Sequence, residues 1–331
     1  MERDVPIKIL GVGHYLPSRI VFNEEIEARC GLKPGWVQKR TGVCERRWIE
    51  DETSSWMAAQ AAQEAVHNAG IQLEDIDLIL NASGTQEQAI PDLSALTQRH
   101  LGLGESGIPC FGVNATCLSF VVAMDMASHL LESGAYKNIL IVSADVASCG
   151  INFDEPESAA LLGDGGAAVV VSKTPDGEAS QLHASHLVTY GKGAELTQIV
   201  GGGSSHHPNH PDITPEDSLF HMNGLQVLKL TRKYGGEFLE KLQPGLSSGL
   251  NDIQWIVPHQ ASKMGFELMY LYGWPPEKFI KTLDRYGNCV AASLPLTLYD
   301  GVMQGKIQRG DKILLIGTGA GLSIGGLILT Y

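Results

Sequence analysis

Helix-length stretches alternate with short β-branched runs along this chain. Ser54 to Ala69 and Val121 to Ser133 read as helices, whereas Ile139 to Val142 is a continuous apolar run of strand length. Such alternation is the layering of an α/β protein. The strand-like runs lack a polar residue at every second position, so the sheets they form are expected to be covered on both faces. A pattern also recurs. Leu73-Glu74-Asp75-Ile76-Asp77-Leu78-Ile79-Leu80 returns as Leu250-Asn251-Asp252-Ile253-Gln254-Trp255-Ile256-Val257, and Lys137-Asn138-Ile139-Leu140-Ile141-Val142 as Asp311-Lys312-Ile313-Leu314-Leu315-Ile316. The two offsets are nearly equal, which points to similar halves, residues 1–175 and 176–331, dividing near Thr174-Pro175-Asp176-Gly177. The longest irregular stretch, from Gly191 to Leu219, holds His206, His207 and His210. No carboxylate or cysteine completes a metal-ligand spacing there, so it reads as a solvent-facing loop.

Composition narrows the class. With 331 residues and 44% hydrophobic content the chain can bury a sizeable core. A net charge of −13 argues against a nucleic-acid partner. Six cysteines, at 30, 44, 110, 117, 149 and 289, form no CxxC pair and no disulfide framework, and neither metal nor cofactor is indicated. The N-terminus runs straight into an apolar strand without a signal-peptide core, and no uninterrupted apolar stretch is long enough to span a membrane. A reduced, cytoplasmic setting is the expectation.

Candidate chemistry gathers in three distant segments: Val113-Asn114-Ala115-Thr116-Cys117, Val257-Pro258-His259-Gln260-Ala261-Ser262, and Arg285-Tyr286-Gly287-Asn288 leading to Ala291-Ala292-Ser293-Leu294-Pro295. A thiol, an imidazole and a carboxamide supply a nucleophile and two neutral hydrogen-bond donors. Cys117 stands where an apolar run, Ile108 to Val113, meets a helix-like one starting near Leu118. A helix N-terminus there would lower the thiol pKa. Taken alone, the cysteine reads more readily as a small buried hydrophobe than as a nucleophile, and the histidine as a satisfied core or surface residue.

The three segments, with Gly11-Val12-Gly13, Lys39-Arg40-Thr41-Gly42, Gly163-Asp164-Gly165 and Gly317-Thr318-Gly319-Ala320-Gly321, resemble the β-ketoacyl-acyl-carrier-protein synthase III family of the thiolase superfamily. The resemblance implies a thiolase-like fold, duplicated halves in a five-layer αβαβα sandwich. It implies a homodimer in which Cys117 takes an acyl group from coenzyme A or acyl carrier protein. His259 and Asn288 would then promote decarboxylative condensation with a malonyl or β-ketoacyl thioester, in fatty-acid or specialised, polyketide-like synthesis. The backbone N–H groups of Cys117 and Ala320 would form the oxyanion hole, with Gly319 beside them, although the family usually has glycine where this chain has Ala320. Trp36 and Arg40 match the coenzyme A entrance motif. Phe153-Asp154-Glu155-Pro156-Glu157 lacks the arginine that some members use there, and Lys263-Met264 replaces another, which favours a carrier-bound or longer donor. Ile90, in a loop implied to end the partner's acyl tunnel, would leave room for a longer chain. Glu87 lies three residues too early to be the base of the head-to-head condensing relatives. An acidic carrier would need a local basic patch, such as Lys229, Arg232 and Lys233, which otherwise reads as a solvated helix face. The rivals are an acyltransferase to an alcohol or amine and a non-catalytic subunit of a condensing complex.

Overall fold

A computed structural model describes residues 2–249 and 252–331. Met1, and Leu250 and Asn251 at the start of the second repeated pattern, lie outside the described residues. Among the described residues two five-stranded mixed sheets dominate. In spatial order the first is β2 (Lys8–Tyr15), β8 (Gly165–Ser172), β7 (Asn138–Asp145), β5 (Leu78–Asn81) and β6 (Cys110–Gly112). The second is β1 (Glu2–Val5), β9 (Gln181–Thr189), β14 (Ser323–Thr330), β13 (Lys312–Gly319) and β12 (Trp255–Pro258). Short ribbons pair β3 (Arg19–Phe22) with β4 (Glu45–Trp48) and β10 (Thr197–Gln198) with β11 (His221–Met222). The helices are α1 (Asn23–Arg29), α2 (Trp36–Thr41), α3 (Ser54–Ala69), α4 (Leu93–His100), α5 (Ser119–Glu132), α6 (Pro156–Ala159), α7 (Gly224–Leu242), α8 (Lys263–Tyr270), α9 (Leu283–Tyr286) and α10 (Ser293–Met303).

The recurring sequence patterns occupy equivalent places. β5 runs parallel to β7 as β12 runs parallel to β13, and β7 is antiparallel to β8 as β13 is to β14. The one strand that crosses over is β1, which pairs with β9 in the second sheet.

The unbroken apolar runs follow from two-sided burial. Leu78, Leu80, Ile139 and Ile141 of the first sheet and Ile313, Leu315, Leu327 and Leu329 of the second share one core with Phe120, Met124 and Leu131 of α5 and Leu294 and Leu298 of α10. The alternate residues face outward to other helices: Ile79, Leu140 and Val170 pack with α3, and Leu314, Ile316 and Ile328 with α7 and α8. Successive side chains on a strand point to opposite faces, so each strand needs an apolar residue at every position. The layers are therefore helix, sheet, helix, sheet, helix, as the resemblance implied. No helix among the described residues is long and apolar enough to cross a membrane. The stretch from Gly191 to Leu219 is mostly turns and short 3-10 helices, with His206, His207 and His210 exposed.

α3 lies unusually close to β2. A Cβ at Gly13 would stand 2.1 Å from the Ala61 carbonyl oxygen and 2.4 Å from the Ala65 nitrogen, and one at Gly11 would stand 2.3 Å from the Ala65 oxygen. Those are backbone atoms, so the helix itself would have to move. Gly13→Ala is expected to cost about 1–3 kcal/mol as an overpacking change. Urea unfolding checks it, and an unchanged midpoint would mean that α3 is not held at this distance.

Candidate active site

The strand-to-helix link after β6 puts Cys117 at the mouth of α5. The Thr116 N–H donates to Asn114 Oδ1 at 2.9 Å, the Ala115 N–H to Ser119 Oγ at 3.0 Å, and the Ser119 N–H to the Thr116 carbonyl at 3.1 Å. Thr116 takes φ of 53°, a left-handed conformation rare for a β-branched residue. This tight turn is what presents the next residue's thiol to a cavity of about 570 Å³.

The backbone N–H groups of Cys117 and Ala320 lie where they favour the thiolate, and the Thr116 hydroxyl, buried and without a conventional hydrogen bond, lies beside the sulfur. Even so, burial, with a contribution from the Asp145 carboxylate, pushes the thiol up to about 12. The expectation of a lowered pKa is thus corrected. The helix does begin at Ser119, but desolvation of a buried thiolate outweighs its N-terminus and the two N–H donors.

His259 extends the line of β12, its N–H donating to the Ile316 carbonyl of β13 at 2.8 Å. The buried Gln260 ties this strand end to the next segment. Its Nε2 donates to the Pro258 carbonyl at 2.8 Å, and its Oε1 accepts from the Thr282 and Leu283 N–H groups at 3.0 Å each. α9 then ends at Gly287, where φ of 66° and the Leu161 oxygen, 2.4 Å from any added Cβ, leave room only for glycine. The following Asn288 is pinned by main-chain bonds from its N–H to Leu161 and from Gly163 to its carbonyl, 2.7 and 3.0 Å. Its Oδ1 accepts from the Val290 N–H at 2.9 Å, which orients the amide and leaves Nδ2 as its remaining donor.

Burial alone lowers the His259 imidazole to about 4, so the ring is neutral at ordinary pH. Its Nδ1 is buried and has no partner among the described residues. Gly317 closes against it, since a Cβ there would stand 2.6 Å from His259 Cβ. Ala320, where the family usually has glycine, is not among the described residues of positive φ, which are Thr116, Val290 and glycines. Its backbone therefore does not require glycine.

Cys117, His259 and Asn288 all line the one cavity, together with Gly319, Ala320 and, at its mouth, Arg40. Arg40 forms a two-pronged ion pair with Glu157, Nε at 2.9 Å and the terminal nitrogen at 2.6 Å. Trp36 does not line the cavity; it packs half-buried with Phe153 and Phe220. Ile90 is 85% exposed on its loop, also outside the lining. Glu87 accepts the Ser55 N–H at 2.8 Å at the start of α3, a capping role rather than a free base.

Sequence reasoning missed two lining or supporting residues. Cys149 shares the cavity wall. More consequential is Asp145, fully buried at the end of β7. Its Oδ1 accepts from the Gly84 N–H, the Thr85 N–H and the Thr85 hydroxyl at 2.9, 2.7 and 2.8 Å, and its Oδ2 from the Ala292 N–H at 3.0 Å. Burial raises this carboxyl to about 6 against the pull of those donors. The strand also carries Asn138 and Ser143, so its local pattern does not single Asp145 out.

Comparison with known proteins agrees with this geometry. The family models for 3-oxoacyl-[acyl-carrier-protein] synthase III and for its C-terminal part match residues 111–191 and 247–331. A β-ketoacyl-[acyl-carrier-protein] synthase III of Deinococcus radiodurans is 34% identical over 325 residues, covering 96% of this chain and 91% of that protein. One from Aquifex aeolicus is 30% identical, covering 98% and 99%. The crystal structure of 3-oxoacyl-[acyl-carrier-protein] synthase III from Aquifex aeolicus superposes with a TM-score of 0.85 at 31% identity, over 98% of this chain and all of that one. Identity of this extent along the whole length, on a thiolase-like fold, means that the chain belongs to the β-ketoacyl-acyl-carrier-protein synthase III family.

Proposed function

We propose that this protein forms a carbon–carbon bond by decarboxylative Claisen condensation, with Cys117 carrying the acyl group and His259 and Asn288 stabilising the enolate. The observation that supports it most is the meeting of these three side chains in one cavity, with Gly319 and Ala320 lining the same space.

In the first half-reaction the Cys117 sulfur attacks an acyl thioester, the new S–C bond replaces the old one, and the thiol proton ends on the departing thiol. The Cys117 and Ala320 N–H groups take the charge that develops on the carbonyl oxygen. His259 stays neutral through this step, which is the form needed later as a donor. In the second, a malonyl thioester loses CO₂, and the electron pair of the broken C–C bond becomes an enolate. Its oxygen is held by the His259 ring N–H and Asn288 Nδ2. The enolate carbon attacks the acyl-cysteine, and collapse expels the Cys117 thiolate and leaves a β-ketoacyl product. Transfer to an alcohol or amine would not need a second oriented donor, so the fixed Asn288 amide favours condensation.

Acyl carrier protein is the acceptor's carrier in this reading, docking on the exposed Lys229, Arg232 and Lys233 of α7. Because Glu157 occupies Arg40 at the mouth, a carrier-bound donor is favoured over coenzyme A. The working unit is a homodimer joined at the edge strand β6, where Phe111 is 40% exposed, with the solvent-exposed Ile90 loop taken to cross to the partner. The halves 1–175 and 176–331 supply the cysteine and the two donors respectively.

Intact-protein mass spectrometry after incubation with acyl thioesters on coenzyme A and on carrier protein tests the reading directly. An acyl adduct is expected on wild type and not on Cys117→Ala; no adduct from any donor would sink the covalent mechanism. Asn288→Ala and His259→Ala are expected to keep the adduct yet lower condensation with malonyl-carrier protein by about 10²–10³-fold, and equal loss in both half-reactions would contradict their assignment. A thiol raised to about 12 is scarcely ionised at neutral pH, and its thiolate grows as pH rises. Alkylation mapped to the Cys117 peptide should therefore climb about tenfold per pH unit up to about pH 10. A plateau below about pH 9 would show that the thiol is not so raised.

A further inference from the structure

The cavity runs on well past the catalytic centre. Gly224, Leu228, Thr231, Gly235, Phe238 and Leu239 of α7 line it, residues three or four apart that form one stripe along the helix. Gly224 stands near the mouth beside Glu157, and from Leu228 to Leu239 the helix rises about 17 Å. The opposite wall is Met264, Leu268 and Met269 of α8, continued by Tyr272, and the floor is Ile316 and Ile324 on the outer face of the second sheet. Trp274 shuts the far end: it is 1% exposed, and its indole N–H donates to the Leu246 carbonyl at 2.9 Å.

Two features distinguish this space from a packing fault. Protein interiors keep few voids larger than a water molecule, yet here two helices turn apolar stripes toward each other across a lumen that opens onto Cys117. Gly235 also sits mid-helix, where glycine is unfavourable. A Cβ there would stand 2.5 Å from the Tyr272 hydroxyl, so any side chain would displace the ring into the lumen or enter it. Polarity narrows the occupant. Arg40 and Glu157, the Lys, Arg, Asp or Glu side chains in the lining, stand at the mouth and neutralise each other. Nothing along the inner stretch would hold a carboxylate or phosphate, whereas an alkyl chain would match it throughout.

We propose that this lumen holds the alkyl chain of a medium- to long-chain acyl group on Cys117, lying within its own subunit along α7 toward Trp274. Length selection then belongs to Gly235, Leu268, Met269, Tyr272 and Trp274 rather than to Ile90 reaching across a subunit boundary. The inference rests on Cys117 being the acyl acceptor.

The experiment measures rates of Cys117 acylation by intact mass with acetyl, octanoyl, dodecanoyl and hexadecanoyl thioesters on coenzyme A and carrier protein. It uses full-length wild type, Gly235→Leu, Met269→Trp and Ile90→Phe. Wild type should prefer dodecanoyl over acetyl by about tenfold or more, and each plug should cut that ratio by a similar factor. Reading a ratio within each variant separates a blocked lumen from a generally weakened protein, and the two plugs lie on opposite helices in case one fails to fold. A wild type that prefers acetyl overturns the proposal, whatever the variants do. So does a ratio unmoved by the folded plugs, or one that follows Ile90→Phe instead. Acylation by short chains without long-chain preference would leave Cys117 as the nucleophile and remove only the lumen, whereas no adduct from any donor would remove both.

Discussion

One buried carboxylate holds the two sides of the site together. Asp145 is fully enclosed, and an ionised carboxylate in such a place is tolerated only when donors surround it. It has four, three from Gly84 and Thr85 and one from Ala292. The first two residues follow β5 in the half that carries Cys117, and Ala292 follows Asn288 in the other half. Val290, between them, is held at φ of 49°, with its side chain against Gly84, where an added Cβ would stand 2.6 Å from Val290 Cγ1. A left-handed valine persists only where its surroundings over-determine it. The Asp145 bonds are part of that over-determination, so the aim of the Asn288 amide depends on a residue that does not itself line the cavity.

Burial sets the resting charge of the site, and at the thiol the same carboxylate adds to it. With the thiol raised to about 12 and the imidazole lowered to about 4, no thiolate–imidazolium pair forms. Creating one would mean burying two charges with Nδ1 of the ring unpartnered. A neutral cavity suits the proposed second half-reaction better than the first. Donors aimed at a developing enolate act more strongly where water is excluded, and only a neutral histidine leaves the site without a competing positive charge to be desolvated. The cost falls on acylation, where the sulfur must lose its proton as the bond forms.

Much of this was legible in the chain. Leu78-Ile79-Leu80 is apolar at every position because one face meets α5 and the other meets α3, and that lack of alternation reads directly as a covered sheet. Cys117, His259 and Asn288 each follow an apolar run and carry motif neighbours whose jobs are now visible: Gln260 bridges two segments, and Gly287 fits where no Cβ can. Asp145 was not legible because its significance lies in donors from residues 84, 85 and 292, which no local pattern brings together. The direction of the Cys117 shift was missed for a related reason. A helix start can be read from sequence, but the depth of burial that outweighs it cannot. Nor does helical spacing tell a stripe that packs on a sheet from one that borders a lumen.

That last difference has a compositional cause, visible when the two outer layers are compared. The sheets share a topology, yet α3 meets the first through Ala58, Ala61, Ala62 and Ala65 against Gly11 and Gly13 of β2, side chains so small that the helix backbone rests on the strand. The second sheet is covered by Phe238, Leu239, Phe266 and Leu268, larger side chains beneath which α7 approaches β14 much less closely than α3 approaches β2. Small residues bring layers together and leave no space; large ones prop them apart, and where neighbouring stripes do not interlock a channel remains. A duplicated architecture can thus seal one half and hollow the other without altering a strand, by exchanging alanine and glycine for aromatic and leucine side chains at the same interface.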